Sequence, residues 1–544
     1  MSNIKPLTVT VLTDTHYYSE KSGTSGKAYD FANAKSQKLL KGSREVLEAA
    51  FRQIKKDDRT DIVLLSGDTT NNGELAAHEE FIEMLRDLKK SGKRVYVITA
   101  THDYKGDGTA EGYDGDNKIR VPAAKREDLF DMYREFGPDE AIAVHRQTMS
   151  YVVQLADGYR LFALNDDSNL RNGSGFPDDC VDWIVEQAED ARKNNQFIIA
   201  MTHHPMIAPS PIYEIIGSGD MQGDYKVRRE QFADLGIQFM LTGHTHVHDI
   251  DKYISERGNY FYDIATAATI GYPATMRSIT FDAEKGKVDV KTDFITEKVD
   301  IDTNGMDFQD FLKEQLIGMV RDVVKAAGED IDTFADMATA MSIKKKLTYK
   351  IGWLIKYPAR WLNKLTIGTV GNWTRKETGL KKSDYAAIKD KKVVDFICDL
   401  VVNLYGGESL YPPETPEYKI TIGLLNIIDS IMKVLHINFR KLVKVVDNTH
   451  GLVEPLLYNN GIPSYDTVLD VMPVYDEGHI SVPVPEPEKP QTVKESKKGL
   501  PIIIIAILIL ILLIPFLPII AVVLLIGYLK NQIKYGDYIK GIKQ

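Results

Sequence analysis

Short runs of β-branched and apolar residues recur along the first 300 positions, separated by segments whose apolar residues fall at helical spacing. The first run starts at Leu7, reads as a buried parallel strand and breaks off at Asp14-Thr15-His16. The pattern then predicts a helix over 43–55, a strand over 61–65, a helix over 74–90 and a strand over 94–98. A helix over 122–136 follows, then a hairpin of 151–155 and 159–164 around Asp157-Gly158. Next come a helix over 177–193, a strand over 197–201, a helix over 228–235 and a strand over 237–241. Strands at 260–265, 276–281 and 288–294 close the series. This order predicts an α/β fold, two mixed sheets packed face to face with helices outside. The stretch 104–117, rich in Gly and Asp, lacks apolar periodicity and is either disordered or a substrate-facing rim.

The pattern changes near residue 301. Helical spacing dominates over 308–327, 331–342, 385–405 and 420–447, so 301–469 reads as a helical domain after a catalytic domain at 1–300. Residues 470–499 form a Pro/Glu-rich linker. Residues 500–526 carry no charge and exceed the roughly 20 apolar residues that cross a bilayer, which predicts a C-terminal hydrophobic membrane segment at 500–529 and a basic tail at 530–544. Pro515 and Pro518 make it either one kinked, tilted helix or a re-entrant hairpin. Within 343–364 seven basic residues and no acidic one accompany Tyr349, Trp353, Tyr357 and Trp361, four apart. That suits contact with anionic lipid, or an amphipathic helix whose aromatics pack inward.

Composition narrows the picture. With 544 residues the chain is long enough for two or more domains, and a formal net charge of -10 argues against nucleic-acid polymers as partners. Two cysteines, Cys180 and Cys398, make no disulfide framework, and a reducing compartment is the simpler reading. No basic stretch followed by an apolar one opens the chain, so no secretory signal is expected.

The chemistry gathers at strand ends, where open α/β sheets assemble their sites. Five clusters lie there: Asp14/His16, Asp68, Thr101-His102-Asp103, His203-His204 and His244/His246, which together hold six of the 12 histidines. Asp14 and His16, two apart in an extended segment, point the same way and can share a metal ion. In this ordered set the chain resembles the calcineurin-like metallophosphoesterases, the dinuclear-metal hydrolases. Their motifs run Asp-x-His, Gly-Asp, Gly-Asn-His-Asp/Glu, His and Gly-His-x-His; here they read Asp14-Thr15-His16, Gly67-Asp68, Ala100-Thr101-His102-Asp103, His203 and Gly243-His244-Thr245-His246. The resemblance covers about residues 5–295, and the 67–74 stretch with His78 is most similar to the class III cyclic-nucleotide phosphodiesterase-like branch.

The resemblance implies two metal ions, Mn, Fe or Zn. One is held by Asp14, His16, Asp68 and His246, the other by the bridging Asp68 with His203 and His244, and together they orient a phosphate ester for in-line attack by hydroxide. It further implies that His102 stabilises the transition state or protonates the leaving oxygen, with Asp103 orienting that ring. Of the adjacent pair it places His203, not His204, as the ligand. One position departs: Thr101 stands where the family has an asparagine ligand of the second metal, and its hydroxyl is a shorter, weaker donor. The expected activity is hydrolysis of a phosphate ester, a phosphodiester first; a phosphomonoesterase or a scaffold with a site disabled at Thr101 are the alternatives. The expected location is a membrane-anchored enzyme whose catalytic domain faces the cytoplasm.

Overall fold

Side chains along the strands alternate between two apolar layers. In β1 (Leu7–Leu12) Val9 and Val11 enter one core, as do Ile62 and Leu64 of β2 (Ile62–Ser66) and Tyr96 and Ile98 of β3 (Arg94–Ile98). A short hairpin, β4 (Thr109–Asp114) and β5 (Asn117–Pro122), follows. The second sheet begins with β6 (Ala143–His145), β7 (Ser150–Ala156) and β8 (Tyr159–Ala163) and continues with β9 (Phe197–Met201) and β10 (Phe239–Thr242). Its remaining strands are β11 (Asp249–Ile254) and β12 (Tyr260–Ala265). β13 (Thr275–Asp282), β14 (Lys287–Phe294) and β15 (Thr467–Asp470) complete the first sheet.

The first sheet runs β15-β14-β13-β1-β2-β3 and the second β11-β12-β10-β9-β8-β7-β6. Leu161, Ile199 and Leu241 of the second sheet meet Val9, Leu64 and Ile279 of the first in the central core. The intervening residues Phe162, Ala200 and Met240 face outward and pack with Ile184 and Ala188 of the helix Asp178–Lys193 and Phe232 of the helix Tyr225–Leu235. Burial on both faces explains why these strands read as continuous apolar runs. β1, β2 and β3 are mutually parallel, and so are β8, β9, β10 and β12, so within each of these sets the carboxyl ends of the strands share one edge.

The structure, a computed structural model, describes residues 4–475 apart from 35, 168–172, 217–219, 341–344, 408, 409, 435, 437, 444 and 460. Two compact units emerge. The first is built from the described residues of 1–319, 401–409 and 459–499, and contains both sheets. The second is built from those of 320–400 and 410–458 and is helical. Within it the helices Ile367–Thr378 and Pro416–Val434 pack closely at Gly423, where an added Cβ would lie 2.5 Å from Thr378 Cγ2.

Several expectations change. The 104–117 stretch contributes to the β4–β5 hairpin, whose Tyr113 joins Tyr18 and Tyr29 in an aromatic cluster; the apolar anchor lies in a different part of the chain, so periodicity could not show it. The helix expected over 122–136 is confined to Arg126–Met132. The hydrophobic membrane segment is the main correction. Among the described residues no helix is long and apolar enough to cross a membrane. The stretch 500–529 lies outside the described residues. Over the described residues the architecture is an α/β sandwich with a C-terminal helical region, and the membrane partner, transmembrane helix and membrane-anchored location are set aside. Contact of 343–364 with anionic lipid is set aside with the membrane partner; in the helix Lys345–Leu362, Lys345 pairs with Asp336 at 2.5 Å, the Tyr349 hydroxyl donates to Asp332 at 2.6 Å, and Tyr357 and Trp361 are exposed.

Candidate metal centre

The loops after β1 and β2 run side by side beyond the sheet. Asp14 N donates to the Gly67 carbonyl at 3.1 Å, His16 N to the Asp68 carbonyl at 3.0 Å and Tyr17 N to the Thr69 carbonyl at 2.9 Å. Asp14, His16, Asp68, His244 and His246 all have positive φ, five of the ten non-glycine residues that do among those described. Such backbone strain concentrates where surrounding contacts hold side chains for function. Two glycines admit this crowding. A Cβ on Gly67, at φ +102, would lie 2.5 Å from His203 Nδ1, and one on Gly243 would lie 2.5 Å from Asp14 Oδ2.

These loops bring together two groups of side chains, Asp14, His16 and His246 in one and Asp68, His203 and His244 in the other, with ligand atoms within 4.8 Å of one another in each. Asp14 Oδ1 lies 3.3 Å from His246 Nε2, 3.5 Å from His16 Nε2 and 4.0 Å from His203 Nε2. It is buried and accepts no hydrogen bond. Asp68 Oδ2 is 3.2 Å from His203 Nε2 and 3.9 Å from His16 Nε2, so it stands between the groups, while its Oδ1 accepts from His102 N at 2.8 Å. A buried carboxylate oxygen without a hydrogen bond, ringed by imidazole nitrogens, fits a divalent cation. Two metal-binding sites are present.

The electrostatics agree. Burial pushes the Asp14 and Asp68 carboxyls up, but neighbouring imidazoles, led by His246 for Asp14 and His203 for Asp68, outweigh it and hold both well below the usual range. Burial lowers His203, yet Asp68 and Asp14 raise it to about 10; burial and Lys38 bring His16 down to about 4. The centre is therefore strongly polarised without any charge from outside the chain.

The remaining expected residues lie around this core. His102 stands edge-on to His16 with centroids 4.9 Å apart, its Nδ1 2.5 Å from the Asn71 carbonyl. Thr101 lies on the half-buried turn after β3. The Asp103 carboxylate accepts from Thr69 and Thr70, backbone and hydroxyl, and from Ala100 N, tying the β2 and β3 loops together. Its carbonyl oxygen lies 2.8 Å from His78 Nε2, which places His78 behind the centre.

Sequence reasoning missed three residues. Asp166 accepts from His204 N and lies 3.1 Å from its Nδ1. Asp166 follows β8 as the other acids follow their strands, so the strand-end pattern could have found it. Gln37 and Lys38, whose side chains reach His246 Nδ1 and His16 Nδ1, sit in a loop with no periodic signal.

Residues 7–248 match a family model described as calcineurin-like phosphoesterase. No curated protein matches the chain. Among solved structures it is similar to a dimetal phosphatase from Danio rerio, with 13% identity over 54% of this chain and 97% of that one and a TM-score of 0.38. It is also similar to GAP50, the anchor in the inner membrane complex of Plasmodium, with 12% identity over 54% and 87% and a TM-score of 0.30. Scores this low carry no argument about substrate.

Proposed function

Residues 7–248 form a calcineurin-like metallophosphoesterase domain and the protein is a hydrolase of that type, and from this premise we propose that it hydrolyses phosphodiesters. The proposed ligands are Asp14, His16, Asp68 and His246 for one ion and Asp68, His203, His244 and Thr101 for the other. Bound there, the ions would supply Lewis-acid charge to the phosphate and a more acidic water.

The chain's own residues do the rest. Asp68, which stands between the two groups, would contribute to holding both ions and would offset part of the repulsion between them. His102 is held by its backbone bond to Asp68 and by Asn71 at its Nδ1, and as the imidazolium it is proposed to give the leaving oxygen its Nε2 proton, keeping the Nδ1 proton on the Asn71 carbonyl. Asp103 acts as a positioning residue: by binding Ala100, Thr69 and Thr70 it fixes the turn that presents His102.

The surroundings favour a diester. Asp220 lies 3.9 Å from His244 Nε2, and Asp166 lies against His204, whose ring is tilted at 42° to that of His244 with centroids 4.1 Å apart. These acids oppose the second negative charge of a monoester more than the single charge of a diester. Bound metal and turnover of bis-p-nitrophenyl phosphate against p-nitrophenyl phosphate, with added Mn2+, test the reading. The expected result is two ions per chain, a higher kcat/KM for the diester, and activity lost by at least 100-fold in Asp68→Asn. Faster monoester turnover would replace the substrate class, and no turnover of either ester would end the proposal.

A further inference from the structure

A neutral imidazole that presents a lone pair to a metal from Nε2 carries its proton on Nδ1, a tautomer favoured by an acceptor there. His203 has one in the backbone, the Ser66 carbonyl 2.8 Å from its Nδ1. For His246 the partner at Nδ1 is the side-chain oxygen Oε1 of Gln37. Gln37 comes from the loop between the helix Lys27–Ala34 and the helix Ser43–Lys56, far in sequence from any strand end.

The orientation of that amide is determined by its own surroundings. Gln37 Nε2 donates to the Tyr272 carbonyl at 3.3 Å, and an acceptor there demands the nitrogen, so the oxygen faces His246. The loop is fixed beside it: Leu39 N donates to the Ile270 carbonyl at 2.7 Å. Gly271 leaves the room, since a Cβ there would lie 2.9 Å from Gln37 Nε2. The Tyr272 carbonyl fixes the amide and the amide fixes the ring: Nδ1 of His246 is the N–H donor and Nε2 carries the lone pair. That Nε2 is the atom 3.3 Å from the Asp14 oxygen that accepts no hydrogen bond.

We infer that Gln37 is the positioning residue that sets the tautomer and orientation of His246 and thereby the metal affinity of the Asp14/His16/His246 site. The inference rests on the proposed ligand role of His246, and the test separates the two. Titration of the full chain with Mn2+ by calorimetry, and the visible absorption of the Co2+-loaded protein, are measured for wild type, His246→Ala, Gln37→Leu and Gln37→Glu. Wild type is expected to take two ions. Gln37→Leu should weaken one of them by about 10- to 100-fold, leave the other unchanged and alter the Co2+ spectrum. Gln37→Glu, which keeps an acceptor for the Nδ1 proton, should retain affinity within a few-fold. Gln37→Leu with both wild-type affinities, while His246→Ala loses an ion, overturns the inference and leaves the ligand reading intact. If His246→Ala keeps both ions at wild-type affinity, the ligand reading itself fails. Should Gln37→Leu not fold, Gln37→Glu decides alone, because loss of the ion despite a retained acceptor overturns the inference and retention supports it.

Discussion

Residue 67 shows how tightly individual positions are held at the metal centre. Gly67 combines φ +102 with an imaginary Cβ 2.5 Å from the ring of His203 and 2.8 Å from the Cβ of Ala100. A side chain there faces both backbone strain and overlap with a buried ring whose Nδ1 already meets the Ser66 carbonyl at 2.8 Å. Gly67→Ala should therefore lower stability by about 1–3 kcal/mol and displace Asp68 and His203 together. A lower Tm accompanied by loss of metal from the Asp68/His203/His244 group is the expected outcome; unchanged metal binding would mean that the loop relaxes around the methyl group. The motif residues themselves were legible in the sequence because each follows its own strand end, so local pattern carried them. Asp103 was expected to orient the His102 ring, but its carboxylate bonds run to Thr69, Thr70 and Ala100, partners that only the juxtaposition of β2 and β3 reveals.

At the scale of elements, the chain after the helical region returns to the sandwich and is held there by more than β15. Gln238 donates to the Met472 carbonyl at 2.5 Å and accepts from Met472 N at 3.0 Å. Asn259 does the same for Tyr475, accepting at 2.8 Å and donating at 3.3 Å. Two side-chain amides thus stand in for a neighbouring strand beyond β15, which pairs with β14 from Thr467 to Asp470. Gln238→Ala and Asn259→Ala should each cost about 1–2 kcal/mol, two modest hydrogen bonds apiece, and speed hydrogen exchange at 471–475 while leaving β1 protected. Equal protection in wild type and the double variant would show that the β14–β15 pairing holds the segment without them. This return was not legible in the sequence: TVLD is only four residues, and its partners lie more than 170 positions away. The parallel strands of the sandwich were legible for the opposite reason, since burial on both faces leaves an uninterrupted apolar signal, whereas β6 and β11, with exposed residues along them, were not.

For the molecule as a whole, one buried carboxyl makes the balance between folded and unfolded chain depend on pH. Asp263 on β12 is 3% exposed. It accepts from Met206 N at 2.6 Å, Ile207 N at 3.0 Å and the Thr242 hydroxyl at 2.5 Å, so it joins the segment after His203-His204 to the end of β10. Burial pushes it up to about 6, against the pull of those hydrogen bonds. In the unfolded chain an aspartate titrates near 3.9. Between these values the folded state holds more protons than the unfolded one, so this group makes stability fall as pH rises from about 4 to about 6, then adds no further slope. The whole effect is about 2–3 kcal/mol, from roughly two pH units at 1.36 kcal/mol each. Asp263→Asn retains an acceptor for the two backbone amides and can donate to the threonine hydroxyl, yet it cannot ionise. Denaturant unfolding of both proteins at pH 4.5 and 7.5 should show the variant gaining about 2 kcal/mol relative to wild type at the higher pH. An unchanged difference between the two pH values would place the Asp263 pKa near its ordinary value and remove this carboxylate as the source of the slope.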